Sequence, residues 1–143
     1  MKTLYEATSI AKGARKGHVK TEDGPIDLNL SVPKSMGGEG GDGTNPEQLF
    51  GSAYAACFGS AIELVAQKKN VDVKAEDITV TATIGIGKTD KGNLQLEATL
   101  DCYIPGVDVK TGEDLVNKAH EVCPFSRATR DNITVTLNLM LDE

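Results

Sequence analysis

Three cysteines, Cys57, Cys102 and Cys123, are the residues of this sequence with the greatest capacity for nucleophilic or redox chemistry. The N-terminal residues show no apolar segment of a secretory signal, and an odd cysteine count in such a chain argues against a structural disulfide framework. No C-x-x-C pair occurs and there are only two histidines, so the ligand spacing of a zinc site is missing. Each thiol is therefore either a small apolar side chain or a nucleophile.

Cys102 fits the first description. It shares the alternation of a predicted strand whose apolar face includes Ala98 and Leu100. We expect it to fill the core. Cys57 lies in the middle of a predicted helix among alanine and phenylalanine, and core packing is the simpler interpretation there too. Because apolar burial raises the pKa of a thiol, a catalytic Cys57 needs a nearby cation and a base.

Cys123 is placed differently, because it directly precedes Pro124. Residues 124–129 are predicted to begin a new helical turn with proline at its first position. The free N–H groups of that turn, with Arg127 and Arg130 nearby, favour a thiolate at Cys123. His120 offers a rival interpretation as a Cys–His nucleophile pair, for which the sequence shows neither an orienting third group nor an oxyanion site.

The elements that must position these thiols begin with the strongest helix signal in the chain. Asn45 is the predicted cap, Pro46 suits the first helical position, and Gln48 completes a capping box. The helix is predicted to run to about Lys69, with Asn70 as a left-handed stop. Both of its sides are apolar, so we expect it to be buried nearly all round, one side by a second subunit.

Around this helix the pattern predicts three strands before it and, after it, a hairpin, a helix and a last strand. The hairpin turns at 90–93, and a glycine-rich loop at 36–43 precedes the first helix. The order β-β-β-α-β-β-α-β predicts an α+β fold, with antiparallel sheets packed around the buried helix in one domain, 1–143. The predicted elements are strands at 3–10, 17–21, 26–32, 78–86, 94–104 and 133–141 and a second helix from Thr111 to Pro124.

Composition excludes several partners. The net charge is −6, and no basic block is longer than Lys68-Lys69, so nucleic acid and anionic membrane are disfavoured. The most apolar run, Leu49 to Ile62, contains glycines and serines and is too short and polar to cross a bilayer. We therefore expect a cytoplasmic protein.

Two longer segments resemble a known family. Residues 43–50, continuing through Tyr54-Ala55-Ala56-Cys57-Phe58, are similar to the first cysteine motif of the organic hydroperoxide resistance proteins, a branch of the wider superfamily that includes the osmotically inducible peroxidases. Residues 122–133, which begin Val-Cys-Pro-Phe-Ser-Arg, resemble the second motif. The likeness extends over nearly the whole chain, including the glycine-rich loop and the segment Ala14-Arg15-Lys16-Gly17.

The resemblance implies a cysteine-based peroxidase that forms an intertwined homodimer with active sites at the subunit interface. It places the peroxidatic cysteine at Cys57, the resolving cysteine at Cys123, the active-site arginine at Arg15 and its paired glutamate at Glu47. It implies no bound cofactor or metal. The electrons come from an external dithiol, the dihydrolipoyl groups of lipoylated proteins.

In the implied cycle, Cys57 attacks an organic hydroperoxide to form a sulfenic acid, and Cys123 then condenses with it to a disulfide. Three aromatic side chains are predicted to line a channel for fatty or aryl hydroperoxides: Phe50, Phe58 and Phe125. Many family members have tyrosine at position 125 and an acidic residue at position 16, where this chain has Phe125 and Lys16. The alternative is a non-catalytic redox sensor or small-ligand binder on the same fold.

Overall fold

A computed structural model describes all residues, 1–143. The chain divides into two compact units, 1–49 and 50–143. The α+β class and the element order are confirmed, with one additional short helix. The first unit contains β1 (Ser9–Lys12), β2 (His18–Thr21) and β3 (Asp27–Asn29). Helix α1 (Pro46–Lys68) follows. The rest of the second unit contains β4 (Thr79–Lys88), β5 (Leu94–Tyr103), α2 (Val109–Val122), α3 (Pro124–Thr129) and β6 (Val135–Met140).

The sheet of the first unit is antiparallel, in the order β1-β2-β3. Strand β1 starts at Ser9, not at Thr3, and Ser9 pairs with Thr21, the last residue of β2. Strand β3 is shorter than predicted and has no buried face in the single chain, where Leu28 is 43% exposed.

Helix α1 begins and ends where its signals predict. The Gln48 N–H donates to Asn45 Oδ1 at 2.9 Å, and Asn70 adopts a left-handed φ of 54° just beyond the last turn. One face is buried, but the opposite face is not, and Leu64 is 44% exposed. The expectation of burial all round is therefore not met within a single chain. The buried face consists of Gly51, Tyr54, Phe58, Ala61, Ile62, Val65 and Ala66.

The length of α1 bears on the expectation that its apolar segment is too short and too polar to cross a bilayer. Its glycines and serines do not interrupt it, and the 23-residue helix is long and apolar enough, by length and composition alone, to cross a membrane. Core helices of soluble proteins share these properties. The face of α1 that includes Tyr54 and Phe58 is fully enclosed by the protein itself, as expected of a core helix.

The sheet of the second unit is mixed rather than antiparallel. Strands β4 and β5 form the predicted hairpin, with Thr79 opposite Tyr103, but β6 pairs with β5 in parallel, with Ala98 beside Val135. Parallel neighbours require a long crossover connection, and α2 and α3 provide it. The prediction of antiparallel sheets was wrong for this strand because alternation shows which face is buried and not the direction of pairing.

Helix α2 begins at Val109, two positions before the predicted start at Thr111. Asp108 is its cap, because its carboxylate accepts hydrogen bonds from both the N–H and the hydroxyl of Thr111, each at 2.9 Å. Gly112 lets the helix lie close to β6, since a Cβ there would lie 2.8 Å from a methyl group of Leu139. The cap and the glycine together fix where α2 starts and how closely it packs.

Cys102 is fully buried in the core of the second unit, which confirms its predicted role. Burial, with a smaller contribution from Asp101, raises the pKa of its thiol to about 12. Its nearest polar partner is the Leu100 carbonyl oxygen at 3.9 Å, a weak contact. A thiol in these surroundings is protonated and unreactive.

We predict that Cys102→Ser lowers the free energy of unfolding by about 1–3 kcal/mol, because the shorter C–O bond leaves a buried hydroxyl without a partner. Cys102→Ala is the matched control, since it removes the sulfur without adding a polar group. Denaturant unfolding at fixed protein concentration measures both. A serine variant as stable as the alanine variant would contradict the assignment.

Candidate active site

Two free thiols meet in the second unit. The Sγ atoms of Cys57 and Cys123 are 3.8 Å apart, although the residues are 66 positions apart in the sequence. Cys57 lies in the middle of α1, and Cys123 is the residue that joins α2 to α3. The structure thus brings together the two cysteines that the motifs indicate, and it keeps the third in the core.

The junction of α2 and α3 explains how Cys123 reaches α1. Pro124 has no N–H and cannot continue α2, so the backbone of Cys123 is extended, with φ −61° and ψ 124°. The Cys123 N–H donates to the Ala119 carbonyl at 2.8 Å, and its own carbonyl accepts from the Arg127 N–H at 2.9 Å. One residue therefore ends one helix and begins the next. The predicted new turn after Pro124 is confirmed.

The two thiols differ in access. Cys123 is fully buried, whereas Cys57 is partly exposed and forms part of the wall of an open pocket of about 350 Å³. A small solute can therefore reach Cys57 first. The pocket has apolar walls with a few polar groups, and its other lining residues are Ser60, Ala61, Glu63, Leu64, Gln67, Val122 and Pro124.

None of the three predicted aromatic residues lines this pocket. Phe58 is fully buried in the core, so its assignment to an accessible channel was wrong. Phe50 and Phe125 are partly buried and pack against the ring of Tyr54, with centroids 5.8 and 5.9 Å away. The apolar character of the pocket beside Cys57 comes from aliphatic side chains instead.

The surroundings of Cys57 within the second unit do not favour its thiolate. Burial raises the pKa of Cys57, and so does the neighbouring Cys123 thiol. The Phe125 backbone N–H, near the start of α3, opposes this by donating a hydrogen bond to the sulfur. Taken together, these contacts raise the pKa of the Cys57 thiol. A reactive Cys57 therefore requires positive charge beyond these contacts.

The first unit contains a rigidly held cation. Arg15 donates to Glu47 through two parallel hydrogen bonds, Nη1 to Oε2 at 2.9 Å and Nη2 to Oε1 at 2.6 Å. The bonds to Arg15 lower the pKa of Glu47, and the Glu47 carboxylate raises the pKa of Arg15. The carboxylate occupies only part of the guanidinium, which keeps further N–H donors for another group.

Two glycines place Arg15 in a tight 3-10 turn, Ala14–Lys16. Gly13 precedes the turn with a φ of 84°, a left-handed conformation that suits glycine. Gly17 follows it, and a Cβ there would lie 1.8 Å from the Lys12 carbonyl oxygen. The signal for this turn in the sequence is the presence of a glycine on either side of the segment that contains Arg15.

The rival Cys–His pair is not formed. His120 makes no side-chain hydrogen bond to Cys123 or to an acidic residue, and its buried Nδ1 has no partner. Burial and the charge of Arg130 lower the pKa of His120. The Arg130 guanidinium donates to the His120 carbonyl oxygen, so it satisfies the last turn of α2 rather than a thiolate.

Sequence reasoning missed a buried cluster of hydroxyl groups beside the thiols. The Tyr54 hydroxyl lies 2.9 Å from Ser126 Oγ and 3.1 Å from Thr129 Oγ1. Tyr54 and Ser126 were noted only as parts of the two motifs. The available signal was the presence of hydroxyl-bearing residues in segments that are otherwise apolar.

Comparisons with known proteins agree with this arrangement. Residues 38–138 match the family of OsmC-like proteins. An organic hydroperoxide resistance protein of Xanthomonas axonopodis pv. citri (strain 306) is 44% identical over 138 residues, 96% of each chain. The structure of such a protein from Legionella pneumophila has a TM-score of 0.90 at 44% identity, over 98% of this chain and 100% of that one.

Another solved structure is that of the organic hydroperoxide resistance protein OhrB of Bacillus subtilis. It has a TM-score of 0.87 at 37% identity, over 96% of this chain and 100% of that one. The chain belongs to the organic hydroperoxide resistance family of OsmC-like proteins. The resemblance read from the two cysteine motifs is thereby confirmed.

We predict that the thiol oxidant diamide links Cys57 to Cys123 and leaves Cys102 free, because only this pair has its sulfurs in contact. Peptide mapping after alkylation of the remaining thiols identifies the bridge. The Cys102→Ala variant is the control and should give the same bridge at the same rate. A bridge that includes Cys102 would show that the described core opens readily.

Proposed function

We propose that this protein is a thiol-dependent peroxidase that reduces organic hydroperoxides to alcohols through Cys57. The observation that carries the proposal is the pair of free sulfurs 3.8 Å apart, one of which borders an open apolar pocket. The names of the relatives support the substrate class, because the Xanthomonas, Legionella and Bacillus proteins are all named for organic hydroperoxide resistance.

The proposed cycle has three balanced steps. The Cys57 thiolate attacks the outer oxygen of the hydroperoxide, the O–O bond breaks, and the alkoxide takes a proton and leaves as the alcohol. The Cys57 sulfenic acid then condenses with the Cys123 thiol, which forms the disulfide and releases water. A dithiol finally reduces the disulfide to two thiols and is itself oxidised to a cyclic disulfide.

Ionisation of Cys57 is the part of the proposal that needs the first unit. The contacts within the second unit raise the pKa of Cys57 on balance, so a nearby positive charge has to lower it again. We assign this role to Arg15, which is permanently charged and held in one orientation by Glu47. Its remaining N–H donors would also polarise the peroxide.

A homodimer is part of the same proposal, with an active site at the interface. The exposed side of α1 supports it, since small and apolar residues such as Ala53, Ala56 and Leu64 lie on that side. A second copy would cover this side. We also propose a cytoplasmic location and a lipoylated protein as electron donor, because a dihydrolipoyl group is a dithiol on a long arm that can reach the pocket beside Cys57.

The test of the proposed cycle is Cys123→Ser. We predict that this variant reduces one equivalent of cumene hydroperoxide per subunit and then stops, because the attack needs Cys57 and not Cys123. The product is a Cys57 sulfenic acid that reacts with dimedone, detected by mass spectrometry. Cys57→Ser should consume no hydroperoxide.

Steady-state turnover of the wild type with dihydrolipoamide separates an enzyme from a redox sensor, because a sensor would form the same disulfide without turning over. Thioredoxin and glutathione serve as alternative donors. A Cys123→Ser variant that never reacts with the first equivalent would overturn the roles given to the two cysteines.

The role of Arg15 predicts a change in pH dependence. Since the guanidinium stabilises the thiolate, Arg15→Ala raises the pKa of Cys57, and the midpoint of iodoacetamide alkylation at Cys57 moves to higher pH. The adjacent cation provides the control, because Lys16→Ala removes a charge of the same sign and should leave the midpoint unchanged. Equal shifts in both variants would indicate a general field and not a specific contact.

The proposed dimer predicts a sedimentation mass of about twice 15.1 kDa at micromolar concentration. A charge placed on the uncovered side of α1, as in Ala53→Glu, should weaken association because it would be buried unpaired. Leu94→Glu, at an exposed position in the β4–β5 hairpin, serves as the control. A stable and active monomer would contradict the shared site.

A further inference from the structure

The short helix α3 is held against α1 by a hydroxyl cluster formed by Tyr54, Ser126 and Thr129. The Tyr54 hydroxyl lies on α1 and contacts both α3 hydroxyls, Ser126 Oγ at 2.9 Å and Thr129 Oγ1 at 3.1 Å. Tyr54 and Ser126 are fully buried and Thr129 is 6% exposed. Thr129 Oγ1 also donates to the Ser126 carbonyl at 3.2 Å. Each of the three hydroxyl groups thus has a hydrogen-bond partner within the protein.

Hydrogen bonds of this kind fix an orientation in a way that apolar contacts do not. A buried hydroxyl without a partner is costly, so the three groups are satisfied only when α3 sits at one angle and one height on α1. Helix α3 has six residues and is too short to be stable by itself. Its position therefore depends on what it packs against.

Helix α3 controls the surroundings of Cys57 in two ways. Cys123 is its N-terminal cap residue, and Pro124 in its first turn lines the pocket beside Cys57. On α1, Tyr54 lies three positions before Cys57, close to one turn of the helix. The cluster thus connects the two cysteine-bearing elements one turn away from the sulfurs.

We propose that Tyr54 is a positioning residue for the resolving step: its hydroxyl holds α3 so that the Cys123 thiol stays in contact with the oxidised Cys57. This inference rests on the proposed function, in which Cys57 sulfenic acid and Cys123 thiol combine to a disulfide and water. The sulfurs have to approach from 3.8 Å to about 2.05 Å, a small movement if α3 is already in place.

The position of α3 then decides the fate of the sulfenic acid. A second molecule of hydroperoxide can oxidise Cys57 sulfenic acid to sulfinic acid, with release of another alcohol, and that product is not recovered by thiols. Resolution by Cys123 competes with this reaction. A loosened α3 slows resolution and leaves more Cys57 open to irreversible oxidation, while the first attack on the hydroperoxide is unaffected.

The test is Tyr54→Phe, which removes the hydroxyl and keeps the ring. With one equivalent of cumene hydroperoxide, we expect the rate of Cys57 oxidation to match the wild type and disulfide formation to slow about fivefold, the effect of one net hydrogen bond. The dimedone-labelled fraction of Cys57 should rise, and sulfinic acid should form at a lower dose of hydroperoxide. Tyr103→Phe, on β5 outside the cluster, is the matched control and should behave as the wild type.

A second pair of variants covers the case in which Tyr54→Phe does not fold. Thr129→Val removes a cluster hydroxyl and should slow disulfide formation in the same way, whereas Thr129→Ser keeps the hydroxyl and should restore the wild-type rate. A loss of stability alone would not change how oxidised Cys57 partitions between disulfide and dimedone adduct. Wild-type partitioning in both Tyr54→Phe and Thr129→Val would overturn the inference.

Diamide distinguishes this inference from the proposed function. It closes the Cys57–Cys123 bridge without any peroxidase activity, so slower closure in Tyr54→Phe supports the positioning role even if hydroperoxide fails to oxidise the wild type. Failure of hydroperoxide to oxidise wild-type Cys57 would refute the peroxidase. Unchanged closure by diamide in both cluster variants would refute the positioning role.

Discussion

The contact between the sulfurs of Cys57 and Cys123 is a geometric constraint that the helices of the second unit must satisfy together. The two cysteines are 66 positions apart in the sequence, so their sulfurs meet only if α1, α2 and α3 are all correctly placed. The cap of Asp108 sets the start of α2, and Pro124 sets the turn into α3.

The same contact carries a cost for reactivity. Burial beside a second thiol makes Cys57 harder to ionise, although proximity to Cys123 is what makes a disulfide possible. Proximity and charge are therefore separate requirements: the helices provide the first, and our proposal assigns the second to the Arg15–Glu47 pair.

Local signals in the sequence predicted local structure well. Asn45 caps α1, Asn70 ends it, and Cys102 fills the core, because each outcome depends on the residue and its near neighbours. The predictions that failed concern non-local packing. The direction of β6 and the burial of Phe58 depend on which element lies opposite, and the pattern within a segment does not specify its neighbour.

The parallel pairing of β6 also has a consequence for biosynthesis. Ala98 meets Val135, which is synthesised 37 residues later, so this sheet gains its third strand only after residues 135–140 have been synthesised. Until then α2 lacks the surface under Gly112 on which it rests, including Leu139. Because Cys123 directly follows α2, a nascent chain without β6 lacks part of the packing that places Cys123 beside Cys57.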